Sequence, residues 1–240
     1  MKKIILATTA LVLSAGFAMA DTVRMGTEGA YPPYNFVNDK GEVDGFEREI
    51  GDELCKRADL TCEWVTNEWD SIIPNLQSGN YDVIIAGMSI TDERKKVIDF
   101  TQNYYPPAAS AYVATSADAD IKTGVVSAQV STIQAAYVAE SGATLLEFPT
   151  PDETVAAVRN GEAAAVFADK DYLRPFVDES NGELQFVGED VSIGGGVGLG
   201  IRQSDTELKG KLDGAISAMK ADGSLNTLIE KYFGEKGLKF

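Results

Sequence analysis

Short, β-branched apolar runs alternate with amphipathic stretches along most of this 240-residue chain, and that alternation admits few folds. Residues 23–26, 60–65 and 83–86 read as strands, too short for helices and flanked by turn residues. Residues 45–58 place Phe46, Ile50 and Leu54 on one face at helical spacing. Beyond Tyr104-Tyr105-Pro106-Pro107 a second series begins, with strands expected over 108–114, 124–129, 144–148 and 163–168. Helices are expected between them over 131–140 and 152–160, and again from Lys170. Such alternation predicts an α/β fold with parallel sheets and crossover helices. Gly194-Gly195-Gly196 permits backbone angles closed to other residues and marks a return crossing, with 197–201 rejoining the first sheet. Ser204 and Glu207 have capping-box spacing before a helix that aligns Leu208, Leu212, Ile216 and Met219; Gly223 ends it and 225–233 form the last helix.

The first 20 residues read as a secretory leader. Lys2 and Lys3 precede an apolar core, and Ala18-Met19-Ala20 supplies a small-x-small cleavage site. The apolar core is too short to span a bilayer, so an exported, soluble chain beginning at Asp21 is expected. Without the leader the chain carries 19 basic against 37 acidic residues, a formal charge of −18. That balance argues against nucleic acid and anionic membrane surfaces as partners and mildly favours cationic small ligands. Histidine is absent altogether, which removes Ser-His-Asp and Cys-His nucleophiles and every histidine metal site. Cys55 and Cys62 cannot make a four-ligand zinc site, and export favours a disulfide over two buried thiols.

One stretch carries the clearest chemistry. Val83-Ile84-Ile85-Ala86 runs into the turn residue Gly87, and the hydroxyls of Ser89 and Thr91 stand just before a new helix, where they can cap free amides. Asp92 and Glu93 suit the positive end of that helix; Arg94, a cation there, does not. Strand, glycine turn, free amides and arginine together describe a carboxylate site. The alternative is that Arg94 only begins the solvated run Arg94-Lys95-Lys96.

From residue 21 to residue 240 the chain resembles the periplasmic polar-amino-acid-binding proteins of ABC importers, solute-binding family 3, which includes glutamine, histidine and lysine/arginine/ornithine binders. Residues 81–101 resemble the family's cleft segment. Gly45-Phe46-Glu47-Arg48-Glu49-Ile50 is similar to its G-aromatic-acid-x-acid-apolar signature, which reads as scaffold. Gln129-Val130-Ser131-Thr132 is similar to its Q-x-G-T turn, with serine for the usual glycine. The resemblance implies a two-lobed periplasmic-binding-protein type II fold with a ligand cleft and a two-strand hinge. It implies a first lobe of residues 21–107 plus 193–240 and a second of residues 108–192. The related lysine/arginine/ornithine binders carry a similar Cys-Lys-Arg…Cys segment, which supports the bridge.

The same resemblance assigns site roles. Arg94 grips a ligand carboxylate, helped by Thr132, and Asp169 pairs the α-ammonium, helped by Ser89 and the Gly87 carbonyl. Tyr31 and Trp69 face each other across the ligand side chain, and Glu28 meets a cationic tip. Each has a plainer reading: Tyr31 packed on Pro32 or Pro33, Glu28 solvated, Trp69 a core residue at a helix start, Asp169 a helix N-cap. The expected ligand is a free polar amino acid, basic ahead of glutamine. The expected partner is a membrane permease; the expected state is a periplasmic monomer with neither cofactor nor metal. A cyclohexadienyl dehydratase-like enzyme on the same fold is the rival of another class.

Overall fold

Residues 22–240 are described by the computed structural model, and the leader expected over residues 1–20 lies outside them. The apolar runs assemble into two five-stranded sheets, one per lobe. The first has the order Cys62–Thr66, Val23–Thr27, Val83–Ile84, Val197–Ile201, Asp99–Tyr105. The second has the order Thr144–Phe148, Val125–Gln129, Ala165–Asp169, Ala109–Ala114, Gln185–Ser192.

Neither sheet is wholly parallel, which corrects the expectation from alternation alone. Three strands of each are parallel, and the last two of each order reverse direction successively. The reason is connectivity. Ala109–Ala114 follows Asp99–Tyr105 through residues 106–108, and Val197–Ile201 follows Gln185–Ser192 through residues 193–196. Each link joins strands of different sheets, so the strand it delivers, Ala109–Ala114 or Val197–Ile201, enters its sheet without a helical crossover from within that sheet and runs antiparallel to its neighbours there. A third, small antiparallel sheet of Ala30–Tyr31, Asn35–Val37 and Val43–Asp44 occupies what the sequence shows only as a loop. Strands of two or three residues hold too few side chains to display a period.

The return crossing needs its glycines. Gly194 and Gly196 have φ of +82° and +89°, and a Cβ on Gly196 would sit 2.7 Å from the Asn103 amide nitrogen. The Gly195 amide donates to Ile90 O at 2.9 Å and Ile90 N donates to Gly196 O at 2.8 Å, so the crossing is pinned to the segment that precedes Arg94.

Helix Phe46–Arg57 buries Phe46, Ile50 and Leu54 completely, as its spacing predicts. Each such side chain contributes roughly 1.5–3 kcal/mol. The helix packs on Thr206–Asp222 and Ser224–Phe233, and the Cys55–Cys62 disulfide ties its last turn to the neighbouring edge strand. The capping box expected at Ser204 does not form. That helix starts at Thr206 with Asp205 as N-cap, and the Ser204 hydroxyl donates to Asp205 instead. A capping box does close at Thr150 and Glu153, ahead of helix Pro151–Arg159.

Candidate ligand-binding site

Ligands of open α/β sheets lie beyond the carboxyl ends of the strands, and four such ends converge here. Val23–Thr27 delivers Glu28, Val83–Ile84 leads to Gly87, Val125–Gln129 leads to Thr132, and Ala165–Asp169 ends on Asp169. Between them lies a cavity of about 330 Å³, counting its mouth, lined by Glu28, Tyr31, Trp69, Gly87, Ser89, Arg94, Thr132 and Asp169. All eight residues singled out from the sequence meet in this one space. Ala86, Gln129, Ile133 and Gln134 complete the lining.

Arg94 is held from both sides of the cleft. The Thr91 hydroxyl caps the short helix Asp92–Lys95 by accepting from Arg94 N at 3.1 Å. The guanidinium then folds back, with Nη1 donating to Ser89 O at 2.9 Å and Nη2 reaching Ser131 O at 3.5 Å. Its carbon lies 5.4 Å from the centre of the Trp69 ring. An arginine offers five N–H donors, so two directed at these carbonyls leave a forked surface for an anion. Burial draws its pKa down to about 10, against the pull of Asp169. Ser131, at the position where the resemblance leads to an expectation of glycine, adopts φ of +59°, so the turn keeps the glycine conformation. Thr132 caps the next helix by accepting from Ala135 N at 3.0 Å and donates to Gln129 O at 2.7 Å. With its proton so placed, the hydroxyl has acceptor capacity rather than a donor to offer a carboxylate.

Asp169 occupies an N-cap position, yet its side chain makes no cap bond. It faces the cleft instead. Its Oδ2 accepts from the Tyr31 hydroxyl at 2.7 Å and its Oδ1 from Gln134 Nε2 at 3.0 Å. Burial pushes the carboxyl up to about 6; Tyr31, Arg94 and Gln134 oppose that rise and Asp171 adds to it. The Tyr31 ring stacks on Tyr172, centroids 4.2 Å apart and planes within 9°. The expected sandwich is therefore built differently: Tyr31 leans on Tyr172 and Trp69 on Arg94, and each ring offers the cavity its remaining surface.

Glu28 is the second acid. Its Oε1 accepts from Gln129 Nε2 at 2.6 Å. Burial is the main reason its pKa rises to about 7; Gln129 opposes the rise, while Glu68, Glu47 and Asp152 reinforce it. Among the described residues, no lysine or arginine is in ion-pair range of Glu28 or Asp169, and no carboxylate is in range of Arg94. The site thus presents two acids and one base, each partly buried and none ion-paired within the protein.

Sequence reasoning missed Gln134, Tyr172 and Glu47. Gln134 and Tyr172 follow helix starts, where a polar or aromatic residue carries no signal of its own. Glu47 stands in the helical signature read as scaffold, although its Oε1 accepts the Gly87 amide at 2.6 Å.

The comparisons with known proteins identify the family. Residues 23–235 match the model of the bacterial extracellular solute-binding proteins, family 3. The chain is 35% identical over 90% of its length to the L-arginine-binding protein of Pseudomonas aeruginosa, with 90% of that protein covered. It is 30% identical to the lysine/arginine/ornithine-binding periplasmic protein of Escherichia coli, with 97% of each chain covered. Among solved structures, it resembles a periplasmic His/Glu/Gln/Arg/opine family-binding protein from Silicibacter pomeroyi in complex with lysine. That match has 73% identity and a TM-score of 0.90, covering 91% of this chain and 100% of the other. These relatives are binding proteins, and the expectation of a binder rather than an enzyme holds on them. The chain therefore belongs to the bacterial extracellular solute-binding proteins of family 3, with their two-lobed fold.

Proposed function

We propose that this protein is the extracytoplasmic binding component of an ABC amino-acid importer and takes a basic amino acid of the lysine, arginine or ornithine type. The observation that carries the reading is the set of unpaired charges in one cavity. A sheltered charge without a partner is costly. Two acids and one base are complementary to a ligand with two cationic groups and one anionic group. A basic α-amino acid is such a ligand. Arg94 receives its carboxylate, Asp169 its α-ammonium, with Gly87 O and Ser89 assisting, and Glu28 its side-chain cation. Tyr31 and Trp69 flank the aliphatic stem. The lysine in the complex of the relative from Silicibacter pomeroyi supports the same ligand class.

Because the first-lobe residues Glu28 and Arg94 and the second-lobe residue Asp169 hold the same molecule, the ligand favours the closed arrangement by differential contact. We assign residues 21–107 and 193–240 to the first lobe and 108–192 to the second. The leader over residues 1–20 would direct the chain to the periplasm, where it would act as a monomer and present the closed form to a membrane permease.

Glutamine is the second reading, and one observation favours it. With a pKa of about 7, Glu28 can hold a proton at neutral pH and accept a neutral amide. Thermal melting of ligand-stripped protein against single amino acids and ornithine separates the two. Ligand at a hundredfold excess over Kd stabilises by about 2.7 kcal/mol. A shift confined to basic amino acids supports the proposal, a glutamine shift of equal size replaces it with the second reading, and no shift from any amino acid refutes both.

A further inference from the structure

Behind the cavity lies a carboxylate that the proposed ligand contacts do not use. Glu47 is wholly buried, and among the described residues no lysine or arginine is in ion-pair range of it. Its partners are all hydrogen-bond donors. Oε1 accepts from Gly87 N at 2.6 Å and from the Tyr104 hydroxyl, and Oε2 accepts from Asn35 Nδ2 at 2.6 Å. Asn35 is equally buried, and its Oδ1 accepts from Gly29 N at 2.7 Å. With the carbonyl side of Asn35 committed to Gly29, its NH2 must face Glu47. The polarity of the whole chain of bonds is thereby determined.

The two backbone amides held this way belong to glycines with positive φ, Gly29 at +74° and Gly87 at +62°. Glycine is the residue whose backbone conformation is least restricted by its own side chain, so an outside tether matters most there. Gly29 lies between Glu28 and Tyr31, and Gly87 between Ala86 and Ser89; all four flanking residues line the cavity. The helix that carries Glu47 also docks the first of these loops, with Phe46 N donating to Pro33 O at 3.0 Å and Glu47 N to Tyr34 O at 2.8 Å. Tyr104 adds the strand that leads into the crossing between lobes.

We infer that Glu47, acting through Asn35, is a positioning residue that holds both first-lobe binding loops at the spacing an amino acid requires. One buried acid links the loop that reads the ligand side chain to the loop that reads its ammonium. The inference rests on the amino-acid-binding reading above. It assigns to the helical signature a part in affinity beyond its part in the core.

The polarity supplies the test. Glu47→Gln preserves shape but turns an NH2 group toward donors, toward either Asn35 or the Gly87 and Tyr104 pair. Adding Asn35→Asp restores an acceptor that can serve the Gly29 amide and the newly introduced side-chain amide together. Lysine affinity is measured by calorimetry on wild type, Glu47→Gln and the double variant, at a temperature where circular dichroism shows each fully folded. A buried donor left unpaired predicts a loss of about tenfold or more for Glu47→Gln, with recovery to near the wild-type value in the double variant. The loss should extend to every amino acid that wild type binds, because both loops move. A lowered Tm with unchanged Kd overturns the inference, since that is the signature of a purely structural role. Where Glu47→Gln does not fold, the double variant decides: folded and binding supports the inference, unfolded or non-binding overturns it. Absence of amino-acid binding by wild type would defeat the functional reading and the inference together.

Discussion

The Tyr31 hydroxyl donates to Asp169 at 2.7 Å, joining a loop of the first lobe to a strand end of the second. The acid proposed to receive a ligand ammonium therefore already accepts one hydrogen bond on each oxygen, the second from Gln134 at 3.0 Å. Asp169→Asn removes the charge and keeps the shape. Calorimetry should show amino-acid affinity falling by more than a hundredfold, since an ammonium buried without its counter-charge costs about 3–5 kcal/mol. Tyr31→Phe keeps the stack on Tyr172 and should cost only about tenfold.

Arg94 is proposed to receive the opposite end of the ligand. Arg94→Ala should abolish measurable binding of every amino acid while circular dichroism shows the fold intact. Arg94→Lys retains a charge and loses the planar fork, so its affinity should fall between the two. Near-native affinity in Arg94→Ala would exclude the carboxylate role.

Glu28 makes binding depend on pH in one direction. A cationic side chain binds the ionised carboxylate, so uptake near neutrality should release a proton. Lysine affinity should rise with pH up to about 7 and level off above it. Glu28→Gln should remove the part of the rise near pH 7 and leave the part below about pH 6 that Asp169 contributes, while weakening lysine and leaving glutamine little changed. Calorimetry in buffers of different ionisation enthalpy reads the released proton directly.

The same acid has the opposite effect on the ligand-free fold. Its pKa is raised from 4.5 to about 7 in the folded state, so between those values the folded protein keeps a proton that the unfolded chain has lost. Stability contributed by this group therefore falls as pH rises across that window. At pH 8 the ligand-free Glu28→Gln variant should melt several degrees above wild type, and at pH 4 the two should coincide.

The Cys55–Cys62 bridge closes a short loop, and neither cysteine lines the cavity. Replacing both cysteines by serine should lower stability by about 2–3 kcal/mol and leave lysine affinity unchanged. A comparable loss of affinity would show that the bridge reaches the site.

Part of the candidate site was legible because its chemistry sits where strands end: glycine, hydroxyl and charged residues stand out against an apolar run, as Gly87, Ser89 and Arg94 do. The roles expected of Glu28, Tyr31, Trp69 and Asp169 came from the family resemblance, since each has an ordinary local reading. The strand directions were not legible. The crossings at residues 104–107 and 194–196 were legible, but not that the strand each delivers runs antiparallel to its neighbours in the sheet it enters. Partners were hidden for a related reason. Tyr31 and Tyr172 are 141 positions apart, and nothing local to either reports a stack with centroids 4.2 Å apart. Glu47 was hidden by its place in an amphipathic pattern, where an acid near a helix start has an ordinary explanation. Ser131 reverses the case: a residue unlike the expected glycine adopts the glycine conformation, at φ of +59°.

Three charges in the cavity are proposed to meet three on the ligand, and removing ligand charges one at a time tests that match most directly. Ligand-stripped wild type would be titrated calorimetrically at pH 8 with lysine, with norleucine, which lacks the side-chain ammonium, and with cadaverine, which lacks the carboxylate. Lysine should bind tightly, and each of the others should lose about a hundredfold or more, as expected when one member of a sheltered charge pair is missing. Norleucine binding as tightly as lysine would contradict the role of Glu28, and cadaverine binding as tightly would contradict that of Arg94.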